Sequence, residues 1–258
     1  MKVITVCSFK GGTAKTSTML HIAAALAKFH HKRVLAIDFD AQANLTSGLG
    51  FDADSLDSMA CVLQGEKKLE EVIQKTAVEG LDLVPADIWL ERVEVTGALA
   101  SDRYSHERLR DILKQFQGKY DVVLIDTPPS LCWLTESALI ASNLALICAT
   151  PEFYSVKGLQ RLAEFIEGMS QRHGLEVLGV CLSFWNSRGK NNRSFLDLIE
   201  ANFPGKCLEH KIRRDVAVSE AAIYGKPVYE SHPQSRAAQD FEAITQEIAR
   251  RLKFKKAS

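Results

Sequence analysis

The chain is organised around one stretch, Ser8-Phe9-Lys10-Gly11-Gly12-Thr13-Ala14-Lys15-Thr16-Ser17. The run before it, Val3-Ile4-Thr5-Val6-Cys7, is apolar, β-branched and too short for a helix, so it predicts a buried strand. The segment after it, Thr18 to Lys28, is rich in Ala and Leu and predicts a helix. Strand, glycine turn, helix is the geometry of a phosphate cradle. Glycines let the backbone turn tightly and approach an anion closely. The first helical turn then offers unpaired N–H groups and a partial positive charge. Lys15 is placed to reach β- and γ-phosphates, and the Thr16 hydroxyl to ligate Mg²⁺.

The general pattern G-x-x-x-x-G-K-[ST] is not met in full: Ala14 stands at a glycine position, with Lys15 and Thr16 in place. Alone, a Gly-Gly turn with a solvated lysine reads equally as a plain turn. The strand before, the helix after and the acidic strand ends below favour the cradle. The stretch also resembles the deviant Walker A motif, K-G-G-x-x-K-T-[ST], of the ParA/MinD ATPase superfamily, and meets every fixed position of it. The resemblance implies that Lys10, Gly11, Gly12, Thr13, Ala14, Lys15, Thr16 and Ser17 bind ATP. It also implies that Lys10 reaches across a dimer interface to the partner's phosphates. Ala14 replaces the commoner glycine, so its methyl narrows the loop.

The whole chain sets bounds. At 258 residues it suits one α/β domain or two small ones. An apolar fraction of 46% supplies an ordinary globular core. Lys plus Arg equals Asp plus Glu, so nucleic-acid binding must come from a local patch rather than the global field. The six cysteines are scattered without a C-x-x-C pair. Cys7, Cys148 and Cys181 fall in strand-like runs and read as buried thiols, a reducing-compartment pattern. The first residues run straight into a strand, so no signal peptide is expected. No apolar run approaches the ~18 residues of a membrane span.

Arg33 to Asp38 predicts a second strand, opening into Asp38-Phe39-Asp40-Ala41-Gln42-Ala43-Asn44-Leu45-Thr46. Carboxylates at the C-terminal end of a parallel strand face the crevice where α/β sheets bind ligands. Asp at a strand end is equally a common turn or cap residue. The stretch resembles the family's switch I, D-x-D-P-Q-G-N, which implies that Asp40 orients the attacking water and that Asp38 stands behind the metal. Ala41 and Ala43 replace the usual Pro and Gly. Tyr120 to Asp126 reads as a continuous buried strand ending in Asp, with the character of Walker B. Asp126 would hold Mg²⁺ through water, because this ion keeps much of its hydration. Thr127-Pro128-Pro129-Ser130-Leu131 resembles switch II.

Elsewhere, Leu69 to Thr76, Trp89 to Leu99 and His106 to Phe116 show helical patches, and Leu81 to Val84, Leu144 to Ala149 and Val177 to Phe184 read as strands. Trp89 reads as core or interface, and Asp102 to Arg110 as a solvated charged face. Pro151 to Leu159 resembles the family segment before a long helix. Asn186, and Lys211-Ile212-Arg213-Arg214-Asp215 with Ser219-Glu220-Ala221, resemble the family's adenine-side elements. Asn186, Arg214 and Asp215 are assigned there. Arg213 replaces the usual Pro and Asp215 the usual Asn.

Between Arg188 and Lys226 there are eight Lys or Arg against five Asp or Glu. This reads as a solvated surface, but the resemblance implies nonspecific DNA binding in the C-terminal third, and Lys190, Arg193, Arg213 and Arg236 are the assigned contacts. The expected architecture is a single-domain α/β P-loop fold over 1–250, a mostly parallel twisted sheet with helices on both faces, followed by a basic tail at 251–258.

The leading expectation is a cytoplasmic, nucleoid-associated ATPase. It would use ATP and Mg²⁺, dimerise with ATP, bind DNA and be released when a ParB-like partner stimulates hydrolysis. A MinD-like protein acting at the membrane is the alternative, and it would need a C-terminal amphipathic helix, for which Ile248 to Phe254 offers few apolar residues. An iron–sulfur reductase is disfavoured because Cys132 has no mate between it and Cys61. A non-hydrolysing ATP-dependent DNA binder is opposed by Asp40.

Overall fold

The computed structural model describes residues 1–8, 10–95, 104–151 and 156–254. Its strands are β1 (Lys2–Cys7), β2 (Val34–Asp38), β3 (Gln74–Lys75), β4 (Leu81–Val84), β5 (Val122–Asp126), β6 (Leu144–Ala149) and β7 (Glu176–Leu182). They form one sheet in the order β3-β4-β2-β5-β1-β6-β7. All neighbours are parallel except the short β3–β4 pair. From β1 the chain crosses to β2 on one side, and later the connection from β5 carries it past β1 to β6 on the other. That switch point opens a crevice at the C-terminal strand ends.

The two-residue period of a strand decides which side chains meet. In β5, Val122 and Leu124 enter one core while Val123 and Ile125 enter the other; in β2, Val34 and Ala36 oppose Leu35 and Ile37 in the same way. Asp38 and Asp126 therefore share a face, and they are direct register partners. That face is covered by α1 (Lys15–His30), which buries residues around most of its circumference. The sheet lies on one side of α1 and α12 (Arg236–Arg251) on the other.

The remaining helices are α2 (Asn44–Gly48), α3 (Met59–Gln64), α4 (Leu69–Val72), α5 (Trp89–Val95), α6 (Arg108–Lys114), α7 (Trp133–Ala141), α8 (Val156–His173), α9 (Asn192–Asn202), α10 (Val216–Ile223) and α11 (Val228–Ser231). Helices α3 to α7 supply the second core and α8 and α9 a third.

Several expectations change. Helix α1 begins three residues earlier than its apolar run, because its first turn is the polar end of the loop. The helical patch at Leu69 to Thr76 stops at Val72, and Gln74–Lys75 pair with β4 instead. Trp89 is not core: it is 51% exposed, with the Arg92 guanidinium over its ring. The charged segment before Arg110 is not wholly solvated, since Arg108 donates to the Leu63 carbonyl. Parts of three expectations, 96–103, 152–155 and 255–258, lie outside the described residues.

The expected tail is also corrected over its described part, residues 251 to 254. Arg251 ends α12 and its guanidinium donates to the Leu178, Lys206 and Cys207 carbonyls and to Glu247. Leu252 is buried and Phe254 packs on the core beneath the Lys32 ammonium. The apolar face of α12, with Phe241, Ile244 and Ile248, is likewise inside. A lipid-inserting C-terminal helix would have to abandon this packing. Among the described residues, no helix is long and apolar enough to cross a membrane.

Candidate active site

Three segments from the ends of β1, β2 and β5 converge. The loop after β1 is fastened to itself, with the Ser8 hydroxyl donating to the Lys10 carbonyl at 3.0 Å. Gly12 takes φ 77°. A Cβ on Gly11 would meet Pro129 of switch II at 3.9 Å. Ala14 then opens α1 in the left-handed conformation, φ 55° and ψ 29°. Ala43 opens α2 in the same way, φ 51° and ψ 32°. Both alanines occupy positions where the motifs they resemble carry glycine. The consequence of the Ala14 methyl is therefore backbone strain at a turn that favours glycine, in addition to the narrowing expected from its bulk.

Lys15 Nζ donates to Asp126 Oδ1 at 2.8 Å and Thr16 Oγ1 to Asp126 Oδ2 at 2.6 Å. Burial opposes the Lys15 charge, but the bonded Asp126 carboxylate and nearby Asp40 outweigh it and hold the ammonium more firmly protonated than an ordinary lysine. Asp38 is fully buried; burial first, and then Asp126, push its carboxyl well above the usual range. Hydrogen bonds from Thr46 and from the Asp40 amide pull the other way. Asp40 is nearly buried, and its own carboxylate accepts from the Gln42 amide at 3.1 Å. Lys10 is exposed at the mouth.

The donor set fits a hard divalent cation. Two buried carboxylates pair in register, Thr16 donates to one of them from the cradle, and the Lys15 ammonium is bonded to that same carboxylate, Asp126. Thr16 and Asp126 would hold such an ion, with Asp38 behind them.

The structure splits the remaining assignments differently from the sequence. Asn186 and Arg214, expected at an adenine, and Arg213 and Arg236, expected at DNA, line one cavity of about 360 Å³ with Phe184, Trp185 and Ser187. Arg214 lies over the Phe184 ring at 4.9 Å. Arg213 makes a bidentate pair with Asp240, at 2.9 and 2.6 Å, so its charge is countered. Asp215 is a shared cap, with Oδ1 accepting from the Ala217 amide and Oδ2 from the Ala237 amide. Lys190 and Arg193 are exposed on the loop and first turn leading into α9, outside the cavity lining.

Sequence reasoning missed two features here. Thr46 bonds Asp38 twice, and nothing in its residue type signals this. Gly50 and Gly225 meet backbone to backbone: a Cβ on Gly225 would lie 2.6 Å from the Gly50 Cα. This joins the segment after Asp40 to the turn after α10.

A family model described as an AAA domain matches residues 1–177. A "ParA family protein" of Chlamydia trachomatis is 66% identical over 248 residues, 96% of this chain and 97% of that one. The chain belongs to the ParA family. The sporulation initiation inhibitor protein Soj of Bacillus subtilis is 34% identical, covering 96% of this ParA family chain and 98% of its own. Among solved structures, the septum site-determining protein MinD of Pyrococcus horikoshii, complexed with Mg-ADP, superposes with a TM-score of 0.78 at 27% identity. It covers 96% of this chain and 95% of that one. The single-domain P-loop fold expected from the deviant Walker A stretch is thus the fold observed.

Proposed function

We propose that this ParA family protein is a DNA-partitioning ATPase that uses ATP and Mg²⁺. It dimerises around ATP, binds DNA nonspecifically as that dimer, and lets go when a ParB-like partner stimulates a slow hydrolysis. The observation that carries the reading is the meeting of Lys15, Thr16, Asp38 and Asp126 beneath the glycine loop. In this reading, the loop amides from Gly11 to Ser17 wrap the phosphates, and Lys15 turns from Asp126 to the β- and γ-oxygens. Lys10 neutralises charge on the partner's triphosphate. When bound at Thr16 and Asp126, Mg²⁺ supplies charge neutralisation on the phosphate oxygens. Asp40 orients the water for in-line attack; the protein contributes position and electrostatics rather than covalent chemistry.

The adenine is assigned to Asn186 and Arg214, with Asp215 acting through the loop it caps. DNA phosphates are assigned to Lys190, Arg193 and Arg236, with Arg213 a lesser contributor because Asp240 already engages it. Binding of this kind is sequence-blind and falls steeply with salt. Charge reversal at Arg236 is expected to lower the slope of log affinity against log salt by about 1.

Sizing with ATP and Mg²⁺ tests the reading. The Asp40→Ala protein is expected to hold a stable dimer, and the Lys15→Ala protein to stay monomeric. An Asp40→Ala protein that hydrolyses ATP at the parent rate would overturn the role given to Asp40.

A further inference from the structure

A buried polar cluster not yet assigned a role surrounds Thr46, on the first turn of α2. Its side chain is fully buried. The hydroxyl donates to Asp38 Oδ2 at 2.8 Å, and the Thr46 amide donates to the same oxygen at 2.9 Å. The hydroxyl also accepts from the Ala86 amide at 3.1 Å. It thus donates once and accepts once within a buried site. The other carboxylate oxygen, Asp38 Oδ1, accepts from the Asp40 amide at 3.3 Å. One continuous run of hydrogen bonds therefore leads from the loop after β4, through Thr46 and Asp38, to the backbone of Asp40.

We propose that Thr46 is a positioning residue for hydrolysis: its hydroxyl fixes the Asp38 carboxylate, and through it the turn that aims Asp40. This rests on the reading of Asp40 as the residue that orients water. The argument is geometric. A carboxylate can rotate about its last torsion, and that torsion is soft. Two donors from one residue on Oδ2 and a third on Oδ1 remove the freedom. The Asp40 amide then has one place to bind. Thr46 touches no residue of the Lys10–Ser17 loop in these bonds, so it bears first on the turn that aims the water and only at one remove, through Asp38, on the hold on the phosphates. The Ala86 amide would otherwise be a buried donor without an acceptor, which explains why a hydroxyl, and not an apolar side chain of the same shape, stands here.

Thr46→Val keeps the shape and removes the hydroxyl; Thr46→Ser keeps the hydroxyl. Three quantities are measured on the full chain: single-turnover ATP hydrolysis with Mg²⁺, the dissociation constant of a fluorescent ATP analogue, and the thermal midpoint. Thr46→Val is expected to slow hydrolysis by about tenfold or more while the analogue binds within about threefold of the parent. Thr46→Ser is expected to recover most of the rate. A Ser variant as slow as the Val variant overturns the proposal, as does a Val variant whose analogue affinity falls in step with its rate. So does a Val variant that has lost the fold while the Ser variant, folded, is also slow. Asp40→Ala separates the two ideas. If it is inactive and Thr46→Val is as fast as the parent, only the Thr46 role fails. If Asp40→Ala is itself as fast as the parent, the reading of Asp40 fails and the Thr46 role falls with it.

Discussion

Lys15 Nζ stands 2.8 Å from Asp126 Oδ1, with the two side chains 5% and 0% exposed. Lys15 thus neutralises the Walker B carboxylate from within the chain. Removing one member of such a buried pair leaves the other uncompensated, which typically costs about 3–5 kcal/mol. Thr16 still donates to Asp126, so the lower end applies. Lys15→Ala is expected to lower the nucleotide-free thermal midpoint by roughly 6–12 °C for a chain of this size. Calorimetry without nucleotide checks it.

His21 lies one turn below Ser17, donates from Nδ1 to the Ser17 carbonyl at 2.6 Å and stacks on Phe241 at 4.4 Å. Burial lowers its pKa to about 4. In the unfolded chain an ordinary histidine titrates near 6.5. Between those values the unfolded state binds the extra proton, so stability falls as pH drops through this window and is fully present above it. From pH 7.5 to pH 5 this group is expected to remove about 2 kcal/mol. Urea unfolding at the two pH values, with His21→Met as the flattened control, measures it.

Ala14 and Ala43 both hold left-handed backbones at helix starts. A side chain there costs on the order of 1–2 kcal/mol, against which the extra freedom of an unfolded glycine must be set. Ala43→Gly is expected to raise the unfolding free energy by up to about 1 kcal/mol, the reverse of its effect inside an ordinary helix. Denaturant titration decides the sign.

Asp215 caps two helices with its two oxygens. In Asp215→Asn one of these oxygens becomes an NH2 facing a backbone N–H, so the bond to either Ala217 or Ala237 is lost or weakened. The loss is expected to be about 1–2 kcal/mol. Hydrogen exchange at the starts of α10 and α12 would locate which amide is released. The motif that this segment resembles carries Asn, and the double cap is a physical reason for the acid in this chain.

Much of the site was legible because its chemistry is local. The cradle, Asp38 and Asp126 each follow a short apolar run that reads as a buried strand, with Asp40 two residues on; that Asp38 and Asp126 share a face comes from the β2–β5 register, which the sequence does not carry. Helix α7, on the far face, was not read from the sequence for the opposite reason: it is buried nearly all round, Thr135 and Ser137 included, and carries no clean helical stripe. Of the two readings of Trp89, core and interface, the core one fails: a large aromatic usually marks a core, whereas here Arg92 covers one face of an exposed ring. Arg213 and Arg251 were read as positive charge for DNA or a tail; Asp240 for Arg213, and three carbonyls for Arg251, lie 27 or more residues away in sequence, and only Glu247 is a near neighbour of Arg251.

The meeting of Gly50 and Gly225 has a mechanical meaning. With no side chain on either, nothing compressible separates the loop downstream of Asp40 from the turn that follows α10. The two run as a bearing, metal on metal. Any swing of the first loop presses directly on the second, and that second loop trails the helix whose cap, Asp215, borders the arginine-lined cavity.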